Sequence, residues 1–212
     1  MLKFEIYDHF KDESKFLDNM YQNKNIELKP GITILVGCNG SGKSTFLDQL
    51  EYYCEDNNIT AIFKSLKGCE SELKSKYGYR GNMVELATVM SSSEGEILSQ
   101  GVGELFSYIG TKVSKLSSDD EKLVIGIDAS DSGSSIDNLI EFKEVLNLVI
   151  KDTATKVAET YIVVSTNAYE LANGMECFSV NEGKYLTFKD YEEYKEYILK
   201  TAEWKSNRYD NN

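Results

Sequence analysis

The chain has 212 residues, of which 41% are hydrophobic and 27% charged, and a formal net charge of −12. That length accommodates one compact α/β domain and hardly two, and the composition is ordinary for a globular protein. The acidic balance argues against an acidic membrane surface as partner, and against DNA or RNA binding by the isolated chain outside a local lysine-lined groove.

In chain order, residues 1–30 read as short strands and turns, with Ile26 and Leu28 alternating with Glu27 as in a half-buried strand. Pro30-Gly31 punctuates the chain, and Ile32 to Val36 is an apolar, β-branched run that predicts a buried central strand. A glycine-rich loop follows. Phe46, Leu47, Leu50, Tyr53 and Cys54 then recur at helical spacing, predicting a helix over Lys43 to Glu55, and Ile59 to Phe63 reads as a strand. Residues 64–90 are polar and glycine-punctuated and give no clear element. Ser91-Ser92-Ser93 opens a helix expected from Glu96. Leu123 to Ile127 is a second buried-strand pattern ending at Asp128, and Leu139, Phe142, Leu146, Val149 and Ile150 form a helical stripe. Tyr161 to Val164 is a third buried strand. Phe178 to Val180 and Tyr185 to Phe188 flank Asn181-Glu182-Gly183-Lys184 as a hairpin, and a helix over Tyr191 to Leu199 closes the fold. A single domain over 1–205 is expected, with a frayed tail over 206–212.

Strands alternating with helices predict a mostly parallel central sheet flanked by helices, with a small antiparallel N-terminal β element. Ligands of such sheets bind at the carboxyl ends of the strands, where the glycine-rich loop and Asp128 both fall. The four cysteines (Cys38, Cys54, Cys69, Cys177) contain no C-x-x-C spacing and His9 is the only histidine, so a zinc site is not expected. The first residues form no apolar signal core, and no run of about 18 apolar residues occurs; a cytoplasmic protein with free thiols and no membrane association is expected.

The loop Gly37-Cys38-Asn39-Gly40-Ser41-Gly42-Lys43-Ser44 fits G-x-x-x-x-G-K-[ST], and it stands between a buried strand and an amphipathic helix. Its backbone N–H groups and the helix N-terminus can wrap a phosphate, the glycines allowing close approach. Lys43 supplies a cation to the β- and γ-phosphates and Ser44 a hydroxyl to Mg²⁺. The expected ligand is ATP with Mg²⁺. Asp128, ending an apolar strand, is the natural second metal ligand, although Asp128-Ala129-Ser130-Asp131-Ser132-Gly133 also reads as a plain turn.

Two classes compete at this size. Small phosphate-loop kinases use several arginines as phosphate clamps, and this chain has only Arg80 and Arg208. The extended loop Gly37 to Thr45, in contrast, resembles the GxNGxGKST loop of ABC-class P-loop ATPases, including their SMC and RecF-like branch. Ser92-Ser93-Glu94-Gly95-Glu96 resembles that family's signature, LSGGQ or SSGE in variants, and lies between the two Walker elements. Residues 128–137 resemble a Walker B end and D-loop of the form DEPDSGLS, with Asp137 matching the D-loop Asp. Val163-Val164-Ser165-Thr166-Asn167 sits where the family's switch strand ends in Thr-His. The combination also resembles small ATP-binding proteins of bacteriophages. The resemblance spans roughly residues 26–180.

This resemblance implies a nucleotide sandwiched between two subunits, a homodimer formed on ATP and released after hydrolysis. Gly37, Asn39, Gly40, Ser41, Gly42, Lys43, Ser44 and Thr45 would hold the phosphates. Ser93 and Gly95 of the other subunit would cap the γ-phosphate from a helix N-terminus, a role compatible with Ser93 as an ordinary helix cap. Lys43, Asp128, Asn167 and Asp131 would serve the chemistry. A protein partner, in DNA metabolism or phage–host conflict, belongs to the same implication. Three positions depart from the family. Ala129 stands where the catalytic Glu follows Asp128, Asn167 replaces the switch His, and no glutamine falls between the phosphate-loop helix and the signature. ATP binding with slow hydrolysis is therefore expected, loss of a general base costing about 10²–10⁴-fold. No long heptad tract separates Lys43 from Ser93, so no coiled-coil arms are expected; the span is also short for a transporter nucleotide-binding domain, which disfavours a transport role.

Overall fold

Successive residues of a strand face opposite sides of a sheet, and in the central strands both sides are apolar, so two cores form. The structure, a computed structural model, describes residues 1–6, 21–67, 73, 75–76, 79, 89, 92, 94–116, 122–131 and 134–210. Its elements are β1 (Leu2–Glu5), β2 (Asn25–Leu28), β3 (Gly31–Val36), α1 (Lys43–Asp56), β4 (Thr60–Ser65), α2 (Glu94–Val113), β5 (Lys122–Asp128), α3 (Ile136–Thr153), β6 (Glu159–Ser165), α4 (Tyr169–Ala172), β7 (Cys177–Ser179), β8 (Lys184–Leu186) and α5 (Tyr191–Asp210).

The main sheet has the order β4-β5-β6-β3-β7-β8, and a separate two-stranded antiparallel sheet joins β1 to β2. Every pairing from β4 to β7 is parallel, and only β8 runs antiparallel, against β7. This is the mostly parallel sheet with flanking helices, beside a small antiparallel N-terminal element, that is expected of a P-loop NTPase fold. On one face Leu35, Val124, Tyr161 and Val163 meet α1 through Phe46, Leu47, Leu50 and Cys54, and meet β1–β2 through Leu2, Phe4, Ile26 and Leu28. On the other face Ile34, Val36, Ile125, Ile127, Ile162 and Val164 pack against α2 (Leu105, Ile109), α3 (Leu139, Phe142, Leu146), α4 and Tyr194 of α5. Each large apolar side chain so buried contributes about 1.5–3 kcal/mol. The two faces pin the register, because a one-residue slip in β3 would exchange the two sets.

Apart from α4, which the sequence did not signal, the elements fall where the periodicity places them, with ends displaced by one to three residues. The helix expected from Glu96 begins at Glu94, and the hairpin strands are Cys177–Ser179 and Lys184–Leu186 around a turn at 180–183. The closing helix is the larger difference. Expected over Tyr191 to Leu199, it continues to Asp210, so residues 206–210 are helical; 211–212 lie outside the described residues. Thr201 is buried at 6% exposure, so tertiary contact, not local pattern, carries the helix past Leu199. Among the described residues, no helix is long and apolar enough to cross a membrane.

Candidate functional site

Order in the sheet assembles the site. β3, β6 and β5 are neighbours, so the loop after β3, the residues after β6 and the end of β5 open side by side. The loop turns tightly: Gly40 has φ +75°, and a Cβ there would lie 2.7 Å from Lys205 Nζ. At Gly37 (φ +149°) a Cβ would lie 2.5 Å from Ser41 Oγ, and the positive φ at both positions favours glycine.

The loop's carbonyl groups are bound from behind. Lys43 Nζ donates to Gly37 O at 2.7 Å and to Cys38 O at 3.2 Å. Lys205 Nζ donates to Asn39 O at 2.9 Å, Asn181 Nδ2 to Ser41 O at 2.9 Å, and Tyr21 OH to Gly42 O at 3.0 Å. The Cys38 N–H donates to Thr201 Oγ1 at 3.0 Å. With five carbonyls so engaged, α5, the hairpin turn and Tyr21 hold the loop in shape. A pre-shaped loop is what an anion cradle requires. Ser41 Oγ is buried with no hydrogen-bond partner among the described residues.

Lys43 is buried at 8% exposure, and its ammonium also donates to Asn167 Oδ1 at 2.8 Å. Burial pushes its pKa below the ordinary lysine value, while the carboxylates of Asp131 and Asp128 and the Cys38 thiol oppose the shift. Ser44 Oγ donates to Asp128 Oδ2 at 2.9 Å, and Ser165 Oγ makes a short hydrogen bond to Asp128 Oδ1. The Ala129 N–H donates to Ser165 Oγ at 3.0 Å, and Ser130 Oγ to Ser165 O at 2.9 Å. Ser165 thus ties the end of β5 to the end of β6. Ala129 has φ +53°, a left-handed conformation that costs a non-glycine residue about 1–2 kcal/mol. The chain therefore turns out of β5 directly after Asp128. The Asn167 N–H donates to Asp131 Oδ2 at 2.8 Å, which places Asp131 in the site despite its distance in sequence from Asp128.

Lys43, Ser44, Asp128, Ala129, Asp131, Ser165 and Asn167 line one cavity of about 560 Å³, together with residues of the loop and Lys67. That volume lies in the range of small-molecule sites. A larger cavity of about 820 Å³, between β4 and α2, holds none of them. Of the residues singled out in the sequence, Gly37 and Ser41 lie in the loop behind the cavity wall. Ser93 lies outside the described residues, and Gly95 is in the first turn of α2. Among the described residues, none from α2 lines the cavity. Asp137 is exposed on the first turn of α3, where a hydrogen bond with Ser135 holds its carboxyl below the usual carboxylate pKa.

Sequence reasoning missed Tyr21, Lys67, Ser165 as a ligand of Asp128, Asn181, Thr201 and Lys205. Ser165 stands inside the switch-strand motif, so a hydroxyl there was a usable signal. The others carry no local signature. Cys38, Cys54 and Cys177 are buried free thiols, burial pushing the latter two up to about 12. Cys69 and His9 lie outside the described residues.

A family model described as an AAA domain matches residues 19–200. No curated protein sequence matches the chain. Among solved structures, it is similar to the crystal structure of a nucleotide-free ATP-binding cassette from an ABC transporter. The identity is 12%, the match covers 86% of this chain and 92% of that one, and the TM-score is 0.39.

Proposed function

This chain belongs to the AAA-domain family and is a nucleotide-binding P-loop ATPase domain, and from that premise we propose that it is an Mg-ATP-dependent dimerising switch with weak hydrolysis, acting through a protein partner. The observation that carries the reading is the convergence of Lys43, Ser44, Asp128 and Asn167 on one cavity, beside a position, Ala129, that offers no carboxylate.

The residues fit the nucleotide and its metal. Ser44 and Asp128 are hard oxygen donors 2.9 Å apart, a set suited to Mg²⁺. Mg²⁺ usually keeps several waters and is held by one or two protein oxygens plus substrate phosphates, so these two side chains would supply only the protein's share of its shell. Mg²⁺ bound there would neutralise charge developing on the phosphates. Lys43 binds the β- and γ-phosphates, exchanging its contact with Asn167 for phosphate oxygen. Asn167 can then orient a water by hydrogen bonding but cannot shuttle its proton. We assign the acceptance of that proton to Asp131, a reading supported by the hydrogen bond its carboxylate accepts from the Asn167 N–H. Its support comes through one backbone bond and not from the strand itself, which fits slow turnover.

The dimer rests on the resemblance of residues 92–96 to a signature that caps a partner's nucleotide, and a setting in DNA metabolism or phage–host conflict rests on resemblance alone. The test is solution mass with and without Mg-ATP, for wild type and Lys43→Ala. Wild type should double in mass with Mg-ATP and the variant should not; a wild-type mass unchanged by Mg-ATP sinks the switch. The left-handed Ala129 favours one second reading, a nucleotide-binding subunit without turnover. A sensitive phosphate-release assay, with Lys43→Ala as the blank, separates the two.

A further inference from the structure

Lys67 belongs to none of the motifs in the sequence, yet it lines the same cavity as Lys43, Ser44 and Asp128. Its position follows from the sheet. β4 pairs with β5 in parallel, Ser65 standing opposite Asp128, so β4 ends at the same edge. The Leu66 N–H donates to Asp128 O at 3.0 Å, and the Leu66 side chain is buried at 2% exposure. The Lys67 N–H then donates to Ser65 Oγ at 3.2 Å, and the residue is exposed at the cavity's rim.

The charge of the cavity makes this position consequential. Its described lining has two cations, Lys43 and Lys67, against two anions, Asp128 and Asp131. Lys43 reaches in from the phosphate loop, and Lys67 stands on the Asp128 side. A triphosphate chelating Mg²⁺ still carries excess negative charge, and its terminal phosphate must sit close to Asp128 and Asp131. Without a counter-charge on that side, like-charge repulsion would favour the diphosphate.

We propose that Lys67 is a second phosphate-binding cation, pairing with the terminal phosphate from the β4 side and making the cavity select a nucleoside triphosphate over the diphosphate. The inference rests on the nucleotide-binding reading of this cavity. Calorimetric titration of the full chain with Mg-ATP and with Mg-ADP tests it, for wild type, Lys67→Met, Lys67→Arg and Lys43→Ala. Lys67→Met should weaken ATP by about 10-fold or more, the scale of one charge-assisted hydrogen bond, and ADP by less than about 3-fold. Lys67→Arg should keep most of the ATP preference. Equal ATP affinity in wild type and Lys67→Met, or an equal loss for both nucleotides, overturns the proposal while leaving Lys43-dependent binding intact. No binding by wild type at all would overturn the nucleotide reading itself, and this proposal with it.

Discussion

The Lys43 ammonium and the Asn167 carboxamide, 124 residues apart in the chain, meet at 2.8 Å across the mouth of the phosphate loop. The same ammonium holds the carbonyls of Gly37 and Cys38, so one cation stabilises the loop and, in the proposed function, binds the phosphates. Lys43→Ala should therefore weaken nucleotide binding by about 10–100-fold, from loss of charge-assisted bonds of roughly 1.5–3 kcal/mol. A fluorescent ATP analogue measures this; affinity within a factor of two of wild type would contradict the assignment.

The lowered pKa of Lys43 gives a pH dependence of determinate sign. Burial disfavours the charged form in the fold, so the unfolded chain holds the proton more tightly. Between the folded pKa and the ordinary lysine value, unfolding takes up a proton, and stability rises with pH through that window. Below the folded pKa both states are charged and the penalty is constant. Unfolding free energies of the nucleotide-free protein across alkaline pH, wild type minus Lys43→Met, should show this rise. A flat or falling difference would refute it.

Of the three departures behind the proposed slow hydrolysis, Ala129 is the one a single substitution tests most directly. It lines the cavity, so a carboxylate there would enter the site. Ala129→Glu should raise phosphate release by at least about 10-fold, a small part of the 10²–10⁴ a positioned base supplies. The left-handed φ of +53° limits the gain, because the new side chain would leave a turn and not a strand. No gain would mean that Asn167 and the missing glutamine dominate the rate.

Thr201 couples the closing helix to the loop. Its hydroxyl donates to Ile198 O at 2.8 Å, leaving a lone pair for the buried Cys38 N–H. Thr201→Val keeps the shape but strands that N–H, which should cost about 1–3 kcal/mol in urea unfolding and weaken ATP binding in parallel. Thr201→Ser should restore both. A stable Thr201→Val protein with full affinity would show that α5 does not hold the loop.

Whatever depends on neighbours a few residues apart was legible in the amino-acid sequence. Alternation set β2, apolar runs set β3, β5 and β6, the 3.6-residue stripe set α1 and α3, and the glycine pattern set the loop with Lys43 and Ser44. These signals are local because backbone geometry repeats locally. Features that depend on strand order and on packing at long range emerged with the folded chain. Inserting β6 between β3 and β5 is what carries Asn167 to Lys43 and Ser165 to Asp128. Folding α5 back over the loop is what gives Thr201 and Lys205 their partners, and the end of β4 is what delivers Lys67. A lysine or threonine on a helix surface looks the same in sequence whether it meets solvent or a carbonyl from a distant loop. The difference lies in where the chain returns, which the hydrophobic faces of the sheet fix and no local pattern records.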